Sequence, residues 1–108
     1  MTTIKEIQDR LPWGKFYSEE FRALPLPYKD FQHALMHVFK AAGKLAGIVD
    51  DADHGDAFFP KEDVEKYLAD VVICAIRAAN VNPSGSFDLG EAVIRRIEGK
   101  NGIKLGGA

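Results

Sequence analysis

The sequence predicts an all-α fold. Its two longest regular segments, residues 29–46 and 60–80, place apolar side chains at i, i+3, i+4 and i+7 spacing, which is the stripe of an amphipathic helix. No segment alternates apolar and polar residues for long enough to predict a strand. The chain has 108 residues, of which 46% are apolar and 28% are charged, a balance typical of one small globular domain.

A short first helix is expected near the N-terminus, capped by Thr2 or Thr3 and running to about Arg10. Residues 11–28 then form an arm in which long regular structure is not expected. Its turn-forming residues are Pro12, Gly14, Pro25 and Pro27, and its aromatic residues are Trp13, Phe16, Tyr17, Phe21 and Tyr28. We expect the arm to pack against the rest of the chain or a neighbouring subunit, with stacking on a ligand as the alternative.

The second helix is expected from about Lys29 to Ala46. Its predicted inward positions are Phe31, Ala34, Leu35, Val38, Ala42, Leu45 and Ala46. A second stripe of this helix is polar and consists of His33, His37, Lys40 and Lys44. Helical spacing predicts that this polar stripe lies opposite the apolar one.

An acidic loop, DDADHGD, is predicted at residues 50–56. The third helix should begin near Pro60, which suits a first helical turn, and should end at about Asn80. Its predicted inward positions are Val64, Leu68, Val71, Val72, Ala75, Ile76 and Ala79. Ile73 and Cys74 extend the apolar surface almost all round this helix, so it needs neighbours on more than one side. A chain this short builds a thin core, and we therefore expect a homodimer or homotetramer.

The fourth helix follows a turn at residues 83–86, PSGS. Asp88 and Glu91 have the spacing of a capping box, which predicts a helix from about Leu89 to Lys100. Its predicted inward positions are Leu89, Ala92, Val93 and Ile97. Glycines at positions 99 and 102 are expected to end it.

Charge and composition exclude several classes of protein. The formal net charge is −2 and the isoelectric point is about 5.9, which argues against general binding to nucleic acid. Cys74 is the one cysteine, so no internal disulfide forms, and its apolar neighbours predict a small core residue. The N-terminus has no apolar signal segment and no apolar run approaches the ~20 residues that span a membrane, so a cytoplasmic location without a membrane partner is expected.

The third and fourth helices carry a family resemblance. The segment YLADVVICAIRAAN at 67–80, followed after a turn by FDLGEAV at 87–93, resembles the second half of the MazG-like nucleotide pyrophosphohydrolases. The sequence GKLA at 43–46 stands where that family has GELA. The resemblance covers roughly residues 29–101 and implies a MazG-like antiparallel helical bundle over 29–108, completed by oligomerisation, after an N-terminal helix and arm over 1–28.

The resemblance also implies a chemistry. Such proteins hydrolyse nucleoside triphosphates to monophosphate and pyrophosphate, with Mg²⁺ held by an ExxE pair on one helix and an ExxD pair on the next. Carboxylates suit this hard cation, and the ion neutralises the triphosphate. In this chain Ala41 and Lys44 stand at the first pair, with Lys40 before them, and Tyr67 and Asp70 stand at the second. Asp70 is therefore the one acid retained of the four, and a Lys40/Lys44 pair repels Mg²⁺.

Two functional hypotheses follow from this pattern. The first is a divergent nucleoside triphosphate pyrophosphohydrolase that completes a Mg²⁺ site with Asp70, Glu65 or an acid of the 50–56 loop. The second is a non-catalytic relative that binds a phosphorylated ligand or acts as an oligomeric structural module.

The family helix pairing would place His37, Lys40 and Lys44 opposite Lys66, Asp70 and Arg77, which predicts a cationic cleft able to hold a nucleotide or other phosphorylated molecule. The resemblance adds a Lys and an Asn near the phosphates. The candidate phosphate-binding residues are His37, Lys40, Lys44, Lys66, Arg77, Lys100 and Asn101. The competing expectation is that both lysines pair with Asp70 and close the cleft.

Histidines provide a second candidate site. His33 and His37 have the i, i+4 spacing that can bind a transition metal, and His54 is a candidate third ligand. The alternative is that these are solvated or hydrogen-bonded surface histidines. If the chain holds a metal, this pattern favours a transition ion over Mg²⁺ at Asp70.

Overall fold

The computed structural model describes residues 1–11, 29–55 and 59–105. Within these ranges the chain forms four α-helices and no β-strand, which confirms the predicted all-α class. The helices are α1 (Ile4–Arg10), α2 (Lys29–Asp53), α3 (Lys61–Asn80) and α4 (Leu89–Asn101). No helix in the described part of the chain combines the length and the apolar character needed to cross a bilayer. The predicted aromatic residues of the arm, at positions 13–28, lie outside the described residues.

Side-chain caps begin the two short helices, as the sequence predicts. Thr3 precedes α1, and its hydroxyl accepts a hydrogen bond from the Glu6 backbone N–H at 3.1 Å. Asp88 precedes α4, and its carboxylate accepts a hydrogen bond from the Glu91 backbone N–H at 3.0 Å. Each cap satisfies a donor that has no partner inside its own helix, and so each fixes where the helix starts.

The end of α4 differs from the expectation at one glycine. Gly99 lies inside the helix, which continues to Asn101. Gly102 ends it, with φ of 69° and its backbone N–H bonded to the Glu98 carbonyl at 3.0 Å. A left-handed residue terminates a helix, whereas a glycine with helical dihedrals merely lowers its stability by about 1 kcal/mol.

Helix α2 is longer than predicted. It continues through residues 47–53, so the first half of the predicted acidic loop is helical. Leu45, Ile48 and Ala52 extend its half-buried line at helical spacing. Packing along this line outweighs the propensity cost of Gly47, which is about 1 kcal/mol relative to alanine.

Helices α2 and α3 form an antiparallel hairpin, whose inner line we call the seam. Seam residues recur at alternating spacings of three and four, the repeat of knobs-into-holes packing. On α2 they are Phe31, Ala34, Val38, Ala41, Leu45, Ile48 and Ala52, and on α3 they are Val64, Tyr67, Val71, Cys74 and Ala78. The small side chains of Ala34 and Ala41, 2% and 5% exposed, let the two helices approach closely.

Buried hydrogen bonds around Gln8, which we call the polar lock, join α1 to the far end of the hairpin. Gln8 is 3% exposed, and its side-chain amide N–H groups donate to the Asn80 side-chain oxygen at 2.9 Å and the Phe87 carbonyl at 2.6 Å. Its side-chain oxygen accepts from the Leu89 backbone N–H at 3.1 Å, and Asn80 donates back to the Gln8 carbonyl at 3.0 Å. Every group of this buried amide is therefore used, and one residue joins α1, α3 and α4.

Several predicted core residues are exposed. They are Leu35, Ala42, Ala46, Leu68, Val72 and Val93. On α2 the predicted stripe was too wide: Phe31, Ala34, Val38 and Leu45 are buried or half-buried as predicted, whereas Leu35, Ala42 and Ala46 each follow a seam residue directly and are exposed. The exposed apolar residues of the hairpin form a surface that we call the apolar face. It consists of Leu35, Phe39, Ala42, Ala46 and Val49 of α2, with Leu68 and Val72 of α3.

Candidate functional site: a cationic cleft in the helical hairpin

A cleft of about 270 Å³ opens between α2 and α3 along one side of the seam. Its lining residues are His37, Lys40, Ala41, Lys44, Asp70, Ile73, Cys74 and Arg77. Most of them directly precede a seam residue in the sequence, whereas members of the apolar face directly follow one. In an antiparallel pair these two sets lie on opposite sides of the hairpin. The hairpin therefore has a polar side with the cleft and an apolar side.

This placement changes the interpretation of the polar stripe. His37, Lys40 and Lys44 do not lie opposite the core of α2, as helical periodicity predicts, but border its interface with α3. They meet Asp70 and Arg77 there, as the proposed helix pairing requires. Lys66, a further candidate, does not line the cleft, and its ammonium lies 5.8 Å from the centre of the Tyr67 ring.

Positive charge dominates the cleft. Lys40, Lys44 and Arg77 line it with three basic side chains, and Asp70 is the one carboxylate among the described lining residues. Within the described residues neither lysine forms an ion pair with Asp70, so the closed arrangement is not the one observed. An open cleft with excess positive charge attracts anions.

Lys44 has a different partner. Its ammonium lies 5.2 Å from the centre of the Tyr67 ring, within the range of a cation–π contact. Tyr67 is half-buried at the seam, so its ring is held in place. A ring face attracts a cation, but it does not accept hydrogen bonds as a carboxylate oxygen does. The N–H donors of the Lys44 ammonium therefore remain available.

Cys74 and Arg77 form part of the α3 wall. Burial, helped by the charge of Asp70 and opposed by that of Arg77, raises the pKa of the Cys74 thiol above its ordinary value. The thiol is therefore protonated at neutral pH and is a poor nucleophile. The Nε atom of Arg77 is itself buried.

His33 and His37 lie at one end of the cleft, with His37 in its lining. Their rings stack with centroids 4.5 Å apart and planes 7° apart, and their Nε2 atoms are 2.7 Å apart. Burial, followed by the charges of His37 and Arg77, lowers the pKa of His33 below its ordinary 6.5, while Asp30 acts in the opposite direction. At neutral pH His33 is therefore uncharged.

Mg²⁺ does not fit this donor set. The ion requires hard oxygen ligands, and the described part of the cleft offers the Asp70 carboxylate facing three cationic side chains. Glu65, another possible acid, does not line the cleft and lies 3.7 Å from the Lys61 ammonium. Asp50, Asp51 and Asp53 belong to the last turn of α2, also away from the cleft.

Three further candidates lie elsewhere. Lys100 and Asn101 are exposed at the C-terminal end of α4 and do not line the cleft. His54 follows α2, where its Nδ1 lies 2.8 Å from the Asp50 carbonyl oxygen. It is 21 residues from His33, about 31 Å along a helix axis, so His54 cannot share an ion with His33 and His37.

Sequence reasoning missed two residues of the cleft wall, Ile73 and Cys74, and missed that Ala41 forms part of the cleft. The signal was present in the alternating spacing of three and four along α2 and α3, which separates seam, cleft and apolar face.

Comparison with protein-family models, with curated proteins and with solved structures finds no match to this chain. The geometry and chemistry of the cleft are therefore what bear on function.

Proposed function

We propose that this chain binds a phosphorylated small molecule, such as a nucleotide, in the cleft between α2 and α3, without a bridging divalent ion. The observation that carries the proposal is the convergence of Lys40, Lys44 and Arg77 on one open cleft that contains a single described carboxylate. Three cationic side chains outweigh Asp70 and complement a phosphate or diphosphate group.

The shape of the cleft favours the phosphate part of such a ligand. At about 270 Å³ it lies below the roughly 300–1,000 Å³ typical of pockets that enclose a whole small molecule. A diphosphate inside the cleft would leave the remainder of the ligand outside. Arg77 supplies a planar fork of donors that matches two phosphate oxygens, whereas each lysine supplies a compact charge.

The resemblance to MazG-like pyrophosphohydrolases supports the same region as a phosphate site but not the same reaction. Ala41, Lys44 and Tyr67 replace three acids of the metal-binding set. We therefore propose that the chain binds its ligand without hydrolysing it. A divergent pyrophosphohydrolase is the alternative, and Mg²⁺-dependent release of pyrophosphate from a nucleoside triphosphate would establish it.

The binding test uses pyrophosphate and ATP in Mg²⁺-free buffer, titrated by calorimetry against the wild type and the Lys40→Ala/Lys44→Ala variant. Removing both cations should weaken binding by about a hundredfold or more, since each charge-assisted hydrogen bond is worth about 1.5–3 kcal/mol and 1.4 kcal/mol is a factor of ten. Added salt should weaken binding to the wild type because the exposed charges are screened.

The matched control is Lys61→Ala/Lys104→Ala, which removes the same charge from two exposed positions outside the cleft. This control should bind both probes as the wild type does. If wild type and the Lys40/Lys44 variant bind equally, or neither binds, the phosphate-binding proposal is wrong.

The apolar face supports a second candidate function, that of a self-assembling helical module. Two large members of the apolar face are well exposed: Phe39 is 65% exposed and Leu68 is 52% exposed. Soluble monomers rarely present such a surface on two packed helices. We propose that a second copy covers it to form a bundle of four long helices, which leaves the cleft on the opposite side open.

A further inference from the structure

The two stacked histidines of α2 have a geometry that the phosphate-binding proposal does not use. His33 and His37 are one turn apart, and their Nε2 atoms approach to 2.7 Å. Two nitrogen ligands, each about 2.0–2.1 Å from one metal ion, lie about 2.9 Å apart when they meet the ion at a right angle and about 3.3 Å apart in tetrahedral coordination. The observed separation of 2.7 Å is shorter than both, so the two rings must rotate apart to chelate an ion, by the smaller amount for the right-angled geometry of Cu²⁺ and Ni²⁺ sites.

We propose that His33 and His37 form a two-nitrogen chelate for a late first-row transition ion, Cu²⁺, Ni²⁺ or Zn²⁺. Imidazole nitrogen suits these ions, while Mg²⁺ and Ca²⁺ prefer oxygen ligands. Coordination through Nε2 places the remaining ring proton of each histidine on Nδ1.

Protons compete with the metal at this pair. A ring nitrogen binds an ion only when it carries no proton. In the metal-free pair, the 2.7 Å contact between nitrogens holds one proton in an N–H···N hydrogen bond. Metal binding moves that proton to Nδ1 of the same ring, and a further proton added to either ring competes with the metal, so affinity should fall as the solution becomes more acidic.

The surroundings set the class of site. The described residues contain no cluster of three histidine, cysteine, aspartate or glutamate side chains suited to one ion. The chelate therefore has two protein ligands and leaves the other coordination positions to water or an added ligand, unlike a closed structural zinc site. Asp30, one turn before His33, favours a cation by its charge, whereas Arg77 opposes it. The Irving–Williams order then predicts the tightest binding for Cu²⁺.

The test titrates the untagged chain with Zn²⁺, Ni²⁺ and Cu²⁺ separately, in phosphate-free buffer near pH 7.5 and without nucleotide. The wild type should bind one ion per chain. His33→Ala and His37→Ala should each weaken binding by more than about tenfold, since even partners that merely orient a metal ligand are worth about 10–100-fold. Alanine is the best helix former, and circular dichroism checks that α2 is retained.

The matched control is His54→Ala, which removes the third histidine of the chain from an exposed position at the end of α2. It should bind as the wild type does. Cu²⁺ electron paramagnetic resonance should show coupling to nitrogen that changes in His37→Ala and not in His54→Ala. If the wild type binds none of the three ions, or if all variants bind them with equal affinity, the chelate proposal is wrong. Because this measurement contains no phosphate, its outcome does not depend on whether the phosphate-binding proposal is correct.

Discussion

Single residues decide the chemistry of the cleft. Lys44 lines the cleft, and its ammonium lies 5.2 Å from the centre of the Tyr67 ring. A lysine at this place favours an anion over a metal cation in the cleft. Ala41 contributes differently, because it is buried at the seam and its small apolar side chain forms part of the cleft lining.

His33 provides a prediction at this scale. Its pKa is lower in the folded chain than the ordinary 6.5, chiefly because it is partly buried, so the unfolded chain takes up the proton first. The stabilisation from this group is therefore present above about pH 6.5 and is lost as the pH falls from there towards the lowered pKa. His33→Gln should flatten the dependence of the urea midpoint on pH between about pH 5 and 7.5. Identical slopes in both proteins would contradict the assignment.

Among the elements, α1 depends on a single polar contact set. It has seven residues, too few to be stable as an isolated helix. Gln8 makes its side-chain bonds to Asn80, Phe87 and Leu89, and so also supplies the first backbone N–H of α4 with a partner. The stability of α1 therefore comes from its docking onto α3 and α4, and helix propensity contributes little.

Gln8→Ala should lower the free energy of unfolding by about 1–3 kcal/mol, the cost of leaving buried polar groups unsatisfied. Urea denaturation measures the change, and hydrogen exchange should show faster exchange of the α1 amides. Gln32→Ala is the control, because Gln32 is exposed on α2. Equal losses in both variants would mean that the lock contributes no more than an exposed glutamine.

Across the whole molecule, few side chains are buried. The described residues that are buried are Gln8, Ala34, Ala41, Cys74, Ile76 and Ala79. Three of these six are alanines, whose burial removes little apolar area from water. Since burial stabilises the fold by about 25 cal/mol per Å² of apolar area, these alanines contribute little stability. The apolar face meanwhile runs from Leu35 to Val49 of α2, about 21 Å along the helix. With two helices packed about 10 Å apart, this face covers roughly 400 Å², the size of the exposed apolar patches that mark interaction sites.

Self-association predicts that the melting temperature rises with protein concentration, because association stabilises the folded state by mass action. Phe39→Lys should place a charge in the middle of the apolar face, remove this concentration dependence and give a monomer by light scattering. Phe59→Lys is the control, since Phe59 is also exposed but lies outside the face. A wild type that stays monomeric with a constant melting temperature would rule out the assembly.

Local sequence chemistry determined the helices of this protein. The sequence could predict the caps at Thr3 and Asp88 and the start of α3 after Pro60, because each depends on residues that are near neighbours in the chain. The all-α class followed from periodicity for the same reason. The clustering of His37 and Lys40 on one stripe was also predictable, because helical spacing alone produces it.

Tertiary packing alone decided which stripes face each other. Two apolar lines one residue apart on α2 have nearly equal hydrophobicity, and the line through Ala34 and Ala41 is buried because its small side chains let α3 approach. That choice moved the polar stripe from the outside to the edge of the seam and brought it to Asp70 and Arg77. It also carried α2 beyond its predicted end at Ala46 to Asp53, since contacts with α3 stabilised residues 50–53, which the sequence predicts as part of a loop.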